Sequence, residues 1–423
     1  MKSFKNPIGN GQQAICKLLI ANSNLHKTFV FCLLLIANST LAQPPIVKRV
    51  SESEVITSAK SNLLYDINSQ QINKGKTMIS TANAFPKTGV FAENEDLRPT
   101  DGKGILKIGV SQSFAWPGLY KAQKNLYAEQ LKYYEANTAA IDVDIKRDVR
   151  TVYYQLWYLQ DKQFLYHRLD SIYKSLNAAA ILKVKTGDSP GLDSIAANVR
   201  MRELQALLQQ IGNDVQIQQQ VLMQLLNTEE PMLPQVVPLQ KLPQPGLPTD
   251  SLHPVLALQS QNINIATAGI GVVKNENKPE FSGRFFSQRL YGLKDPFSGF
   301  SVAAAFPLFG SGAYKNKVKV AEAEMAVQQK QFNYGKQMLG TQQMQMLQQV
   351  ERNKTILAFY ESSGLKQANE IIKASSLAYR AGEISFAELS QFLTQAIEIQ
   401  KNYLENLNTY NQSVIQYNYY VNQ

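Results

Sequence analysis

The side chains able to do covalent or metal chemistry are few in this sequence and far apart. Its 423 residues hold three histidines and two cysteines. Cys16, Cys32 and one histidine fall within the first 42 positions, which leaves His167 and His253 as the only imidazoles beyond them. That spacing gives no metal-ligand cluster, and no Gly-rich phosphate loop, nucleophile triad or paired-carboxylate constellation stands out. No enzymatic activity and no cofactor is expected. What recurs instead is a glycine followed six residues later by an acid: Gly187 with Asp193, and Gly382 with Glu388. A glycine stops a helix, and an acid in the first turn of the next helix complements its dipole. The chemistry on offer is electrostatic.

The elements that position these acids come in two copies. Lys185-Thr186-Gly187-Asp188 and Arg380-Ala381-Gly382-Glu383 lie 195 positions apart. Upstream, the segment from Val110 through Phe114 and Gly118 to Tyr120-Lys121 resembles the one from Val302 through Phe306 and Gly310 to Tyr314-Lys315, offset by 192 through the glycine and 194 after it. The insertion Ser311-Gly312 accounts for the change. Two anchors in the same order argue for an internal duplication.

Between the anchors the chain reads as helix. Ile141, Ile145, Val149, Val152, Leu156 and Leu159 recur at steps of three and four, close to a coiled-coil seam. A long helix is expected over about 118–182 and a second over about 313–380, each a rod on the order of 90–100 Å. Each is followed by a return helix, about 190–228 and 386–420. Ser385 with Glu388 forms a capping box for the second, and Ser189-Pro190 offers an N-cap with proline at N1 for the first. Shorter helices are expected over about 51–74 and 251–274. The aromatic run Tyr153-Tyr154-Gln155-Leu156-Trp157-Tyr158 reads as packing between helices. Tyr410, Tyr417, Tyr419 and Tyr420 suit a half-wet site, such as the base of a barrel or a membrane interface.

Strand signals precede each long helix. Leu106, Ile108, Val110 and Phe114 alternate with Lys107, Gly109, Ser111 and Ser113; Phe300, Val302, Ala304 and Phe306 alternate with small or polar residues. Period two with one polar face is the pattern of a transmembrane barrel strand. Strands are expected at about 76–92 and 104–115 in the first copy and at about 279–291 and 298–307 in the second. Four strands cannot close a barrel by themselves. Either several chains share one barrel, or the strands form a small soluble sheet at the end of a coiled coil. Residues 229–250, rich in proline, read as an extended linker on the outside of the bundle. The chain is thus organised as 1–42, a first repeat over 43–228, the linker, and a second repeat over 251–423.

The first 42 residues read as an export signal. Lys27 precedes the apolar core Phe29–Ala37, and Thr40 and Ala42 supply small residues before a cleavage between Ala42 and Gln43. Their removal takes away four lysines and no acid, so the formal charge falls from +10 to +6. Export and the absence of charge clusters argue against a nucleic-acid partner.

Signal, duplicated strand-strand-helix-helix unit, glycine turn and return helix together resemble the TolC-like outer-membrane efflux proteins. The joins Ser111-Gln112-Ser113-Phe114-Ala115-Trp116-Pro117 and Ala305-Phe306-Pro307-Leu308-Phe309-Gly310 and the two glycine turns carry the resemblance, and the Phe-Ala-Trp-Pro join is closest to the heavy-metal efflux branch. The resemblance implies a mainly α fold with a β part: a homotrimer whose chains share one 12-stranded β-barrel in the outer membrane of a Gram-negative bacterium and continue it as a long α-barrel into the periplasm. It implies a passive exit duct, docked at its tip on a periplasmic adaptor that links it to an inner-membrane pump of the resistance-nodulation-division type, with heavy-metal cations as cargo. Drug efflux, type I protein secretion and a periplasmic structural or adaptor coiled coil are the alternatives. By the same resemblance, Lys185, Thr186, Gly187, Asp188, Arg380, Ala381, Gly382 and Glu383 would contact the adaptor, and Asp193 and Glu388 would ring the pore constriction. Ala196 and Gln391 stand where some relatives carry a second acid. Phe114, Pro117, Phe306, Pro307 and Gly310 would form the strand-to-helix joins.

Overall fold

In the computed structural model of the chain, residues 47–100, 102–246, 252–294, 296–306 and 311–422 are described. The export signal, with Ala42 and Gln43, and the join residues Pro307 and Gly310 lie outside them. Arg49–Gln423 form one compact unit. Its elements in chain order are β1 (Lys48–Val50), α1 (Glu52–Ser58), a 3-10 turn (Ala59–Ser61), α2 (Leu63–Thr81), β2 (Gly89–Glu95), β3 (Ile105–Phe114), α3 (Pro117–Thr186), α4 (Gly191–Leu226), β4 (Met232–Pro234), α5 (Pro254–Glu276), β5 (Glu280–Leu290), β6 (Phe297–Ala305), α6 (Ser311–Phe359), a π-helical turn (Tyr360–Gly364), α7 (Leu365–Ala381) and α8 (Phe386–Tyr420).

The duplication is visible as two sets of strand pair, long rod and return helix. α3 runs unbroken for 70 residues, about 105 Å at 1.5 Å per residue. Pro117 occupies its first turn, where a missing N–H costs nothing, and Gly187 ends it. Several expectations about the elements require correction. The second rod is not one α-helix over 313–380: the π turn at Tyr360–Gly364 divides it. Residues 76–81 are the end of α2 and not strand, because Asn62 starts a helix whose side-chain cap holds the Leu64 N–H at 2.9 Å. The same Asn62 breaks the helix expected over 51–74 into two. The linker is not wholly extended on the surface: β4 pairs with β1, and Leu239 and Leu242 are buried.

The strands form one antiparallel sheet in the order β2-β3-β5-β6. β3 of the first repeat pairs directly with β5 of the second, Ile105 opposite Leu290 through Phe114 opposite Phe281. A second, two-stranded sheet joins β1 and β4.

Two apolar cores hold the helices. One, at mid-length, gathers Val149, Val152, Leu156 and Trp157 of α3 with Leu222 and Leu226 of α4 and Leu407 and Val414 of α8. The aromatic run packs as expected: the Trp157 indole N–H donates to the Val237 carbonyl at 2.7 Å. Burial pushes the Tyr153 hydroxyl up to about 12, with Glu52 adding to the shift. The other core, toward the glycine turns, joins Leu169 and Leu176 of α3, Ala368 and Ile372 of α7, and Leu389 and Leu393 of α8. The C-terminal tyrosines are not at the base of the strands. α8, 35 residues long, is half the length of α3 and runs back from the turn, so its end reaches only the middle of the rod. There Gln412 donates to the Thr151 carbonyl at 3.0 Å and the Arg147 guanidinium stacks on Tyr419 at 4.3 Å.

Candidate functional site

The four-stranded sheet has two chemically opposite faces. Val90, Val110, Phe285 and Phe300 stand directly opposite one another across all four strands. Ala92, Ile108, Phe281, Val302 and Ala304 share that face, and its side chains are mostly exposed. The other face carries Glu93, Glu95, Lys107 and Arg284, and its side chains are mostly half-buried. Side chains crowd on a concave surface and splay on a convex one, so the charged face is the inner side of the curve. Arg284 pairs there with Glu93 and lies 3.8 Å from the centroid of the Phe91 ring. Lys107 pairs with Glu95 at 2.6 Å.

The outer apolar face has a defined height. From Phe281 to Arg289 this apolar band runs nine residues, about 26 Å along the strand at 3.3 Å per residue, a length at the lower end of the about 9–11 residues a tilted membrane strand needs. Aromatic rings gather at the helix end of that band: Phe85 against Phe114 at 5.6 Å, Phe85 against Tyr120 at 5.5 Å, and Trp116 against Phe281 at 6.1 Å. This is the join predicted at Phe114 and Pro117; Phe306, at its counterpart, is exposed. Tyr291 stands at the opposite end, its hydroxyl bonded to Asp96.

The glycine turns form the other candidate site. Gly187 and Gly382 both take φ = 81°, the left-handed conformation that glycine adopts without a Cβ clash. Their hydrogen bonds coincide. Asp188 N–H reaches the Lys183 carbonyl at 2.8 Å, and Glu383 N–H reaches Ala378 at 2.9 Å, the six-to-one bond of a Schellman motif. Lys185, Asp188, Ala381 and Glu383 are exposed around the turns, and the Thr186 hydroxyl donates to Asp188 at 2.6 Å.

Asp193 and Glu388 both occupy the third position of a return helix. The capping box at Ser385 forms: its backbone N–H donates to Glu388 at 2.8 Å and its hydroxyl accepts from the Glu388 N–H at 3.2 Å. The Ser385 backbone N–H, together with the Ser385 hydroxyl, which also donates to the carboxylate at 2.9 Å, holds the Glu388 carboxyl below its usual range. The first repeat differs from expectation. Pro190, not Ser189, is the N-cap and makes no side-chain cap bond. The Ser189 hydroxyl instead donates to Asp193 at 3.1 Å.

One side chain ties the two repeats together at the turns. The Lys183 ammonium donates to the Tyr379 carbonyl at 2.6 Å and lies 4.4 Å from the centroid of its ring. It caps the second rod from the first. Tyr379 is buried, edge-on to Phe386 at 5.9 Å, and its pKa is pushed up by burial and then by the charge of Asp193. Arg380 reaches the Ser175 hydroxyl at 3.4 Å. No periodicity or motif distinguishes Lys183 from a solvated lysine, so this link is legible only in three dimensions.

No family model and no curated protein matches the chain by sequence. Solved structures do. A membrane protein from Pseudomonas aeruginosa matches with a TM-score of 0.74 at 14% identity, over 89% of this chain and 91% of its own. The CmeC outer membrane channel of Campylobacter jejuni matches at 0.72 and 10% identity, over 90% of each. The chain has the fold of the outer-membrane channels. The MtrE outer membrane channel of Neisseria gonorrhoeae, solved in its open state, aligns with the channel-fold chain at 0.69 and 15% identity over 88% of each. Among the described residues no helix is long and apolar enough to cross a membrane.

Proposed function

We propose that this chain is one protomer of a homotrimeric exit duct in the outer membrane of a Gram-negative bacterium, with residues 1–42 its export signal. The duct passes cargo from a periplasmic adaptor and an inner-membrane pump of the resistance-nodulation-division type to the exterior. The observation that carries this reading is that the chain is open at the same two sides in both of its layers. In the sheet, β2 and β6 are edges without a partner strand among the described residues. In the helices, α4 packs chiefly on α3, whereas α8 packs on α3, α6 and α7. The unpartnered side of α4 carries Leu192, Ile195, Val199, Leu207, Ile217 and Val221 exposed, spaced near the helical period. On the opposite edge α6 exposes Val320, Val327 and Tyr334 at heptad spacing. Open edges cannot face lipid, and apolar stripes of this length call for a partner. Copies arranged in a ring close both layers at once, with the charged concave face inward.

Within this reading the two glycine turns, Lys185 to Asp188 and Arg380 to Glu383, contact the adaptor. Asp193 and Glu388, repeated by the threefold axis, make acidic rings at the constriction, which favour cations. The cargo that fits such rings is heavy-metal cations. A strain lacking the chain tests this: loss of metal tolerance supports metal cargo, whereas unchanged metal tolerance with lost drug tolerance makes the duct a drug channel. The channel reading itself is tested by extracting the mature chain in detergent and recording single-channel conductance in planar bilayers.

A further inference from the structure

The charged side chains of the four barrel-type strands are distributed unevenly. Glu93, Glu95, Lys107, Glu280 and Arg284 fall on the concave face, and both cations there are ion-paired. On the convex apolar face the strands carry one formal charge, Arg289, the penultimate residue of β5. It shares a cross-strand row with Leu106 and Asn94. Its side chain is exposed, and it forms no ion pair with any described residue. Four residues toward the helices lies the row Val90, Val110, Phe285 and Phe300, about 13 Å away. Arg289 therefore stands at the upper limit of the apolar band, on the end of the sheet opposite the helices and beside the turn that carries exposed Lys294.

A guanidinium on a hydrocarbon-facing surface is costly unless it meets an anion or water at the head-group level. Its planar fork matches phosphate oxygens in a bidentate way. We propose that Arg289 is the docking point for the phosphate of an outer-leaflet lipid, one per protomer. The Asn94 amide, two strands away in the same row at about 10 Å, offers a further hydrogen bond to the sugar or phosphate of a large glycolipid head group. Apolar Leu106, between them in that row, and Ile108, one row nearer the helices on the same face, lie alongside the acyl chains. The inference rests on the outer-membrane reading above, since only there does this end of the strands meet an outer leaflet.

The test uses wild-type and Arg289→Ala oligomers purified in detergent, each titrated with bisphosphorylated lipid A and with its dephosphorylated form. Bound lipid is counted by native mass spectrometry. The bisphosphorylated lipid should bind wild type on the order of tenfold more tightly than the variant, and the dephosphorylated lipid should bind both alike. Arg289→Lys, which keeps charge but loses the fork, should fall between. Equal binding of the bisphosphorylated lipid to wild type and Arg289→Ala overturns the proposal, as does inorganic phosphate alone binding wild type as tightly as the bisphosphorylated lipid, which would make the site one for a free ion. Conductance recorded on the same samples separates the two readings. A wild type that neither assembles nor conducts removes the channel reading, whereas a conducting oligomer with equal lipid binding removes only the role of Arg289.

Discussion

The two repeats build the same joints from different side chains. At the start of the helix that leads to each strand pair, Asn62 caps α2 and His253 caps α5. Each accepts the N–H two residues on, Leu64 and Val255, at 2.9 and 3.3 Å. Each is also bonded to a carbonyl at the end of its return helix: Asn62 donates to Leu225 at 2.8 Å, and His253 Nε2 lies 2.9 Å from the Tyr419 carbonyl. At the turns, the glycine φ and the hydrogen bonds coincide while the caps differ, Pro190 against the Ser385–Glu388 box. The rods differ most, α3 unbroken and the second divided by the π turn. Backbone geometry is what the duplicated fold requires, and the side chain that secures each joint is free to diverge. The divergence gives the repeats different sensitivities, which can be measured.

The largest expected difference in stability lies one turn into the return helices. Leu389 is fully buried in the turn-end core, whereas Ser194, its counterpart 195 positions earlier, is only half-buried. Leu389→Ala should cost about 2–5 kcal/mol and Ser194→Ala no more than about 0.5 kcal/mol, read as thermal unfolding by circular dichroism in detergent. Comparable losses would mean that both return helices are packed alike, against the burial seen. Next come the glycines. Since both take the same φ, Gly187→Val and Gly382→Val should each destabilise by about 1–3 kcal/mol, and unequal effects would break the equivalence of the turns. Ser385→Ala, which removes a capping box, should cost about 1 kcal/mol. Ser189→Ala, which removes a bond to Asp193 but no cap, should cost less. The smallest effect expected is titratable. His253 must keep Nδ1 unprotonated to accept from Val255, and burial lowers its pKa, outweighing the upward pull of the Tyr419 carbonyl and Asp144, with Arg147 reinforcing the fall. The unfolded chain therefore takes up the proton more readily, and stability present above pH ~6.5 falls as the pH drops below it. His253→Asn should flatten that part of the pH profile, and Asn62→Ala should lower stability at every pH alike. An unchanged slope in His253→Asn would assign the pH dependence to another group.

Much of the fold was legible because its signals are backbone requirements. Glycine at a left-handed turn, period two in the strands β3, β5 and β6 and heptad steps in α3 all leave a mark in single residues. The first strand was misplaced because β2 is short and carries Glu93, Asn94 and Glu95, so its alternation is broken by charge. The π turn at Tyr360–Gly364 has no compositional signature beyond Ser362-Ser363-Gly364, and the sequence reads through it as helix. The C-terminal tyrosines misled because their position depends on the relative lengths of α3 and α8, not on residue type. In the candidate sites, the turn residues and the third-position acids could be read from spacing. Lys183 and Tyr379, which tie one turn to the other, could not, since their contact spans 196 residues and depends on packing alone.

The central claim is that this chain is an incomplete ring whose two open sides are closed by copies of itself. Single-particle imaging of the detergent-extracted mature chain tests it most directly. The account predicts a threefold particle in which β6 of one protomer pairs with β2 of the next, closing a 12-stranded barrel continuous with a helical tube. A water-soluble monomer, or an assembly in which β2 and β6 remain unpaired, would contradict it.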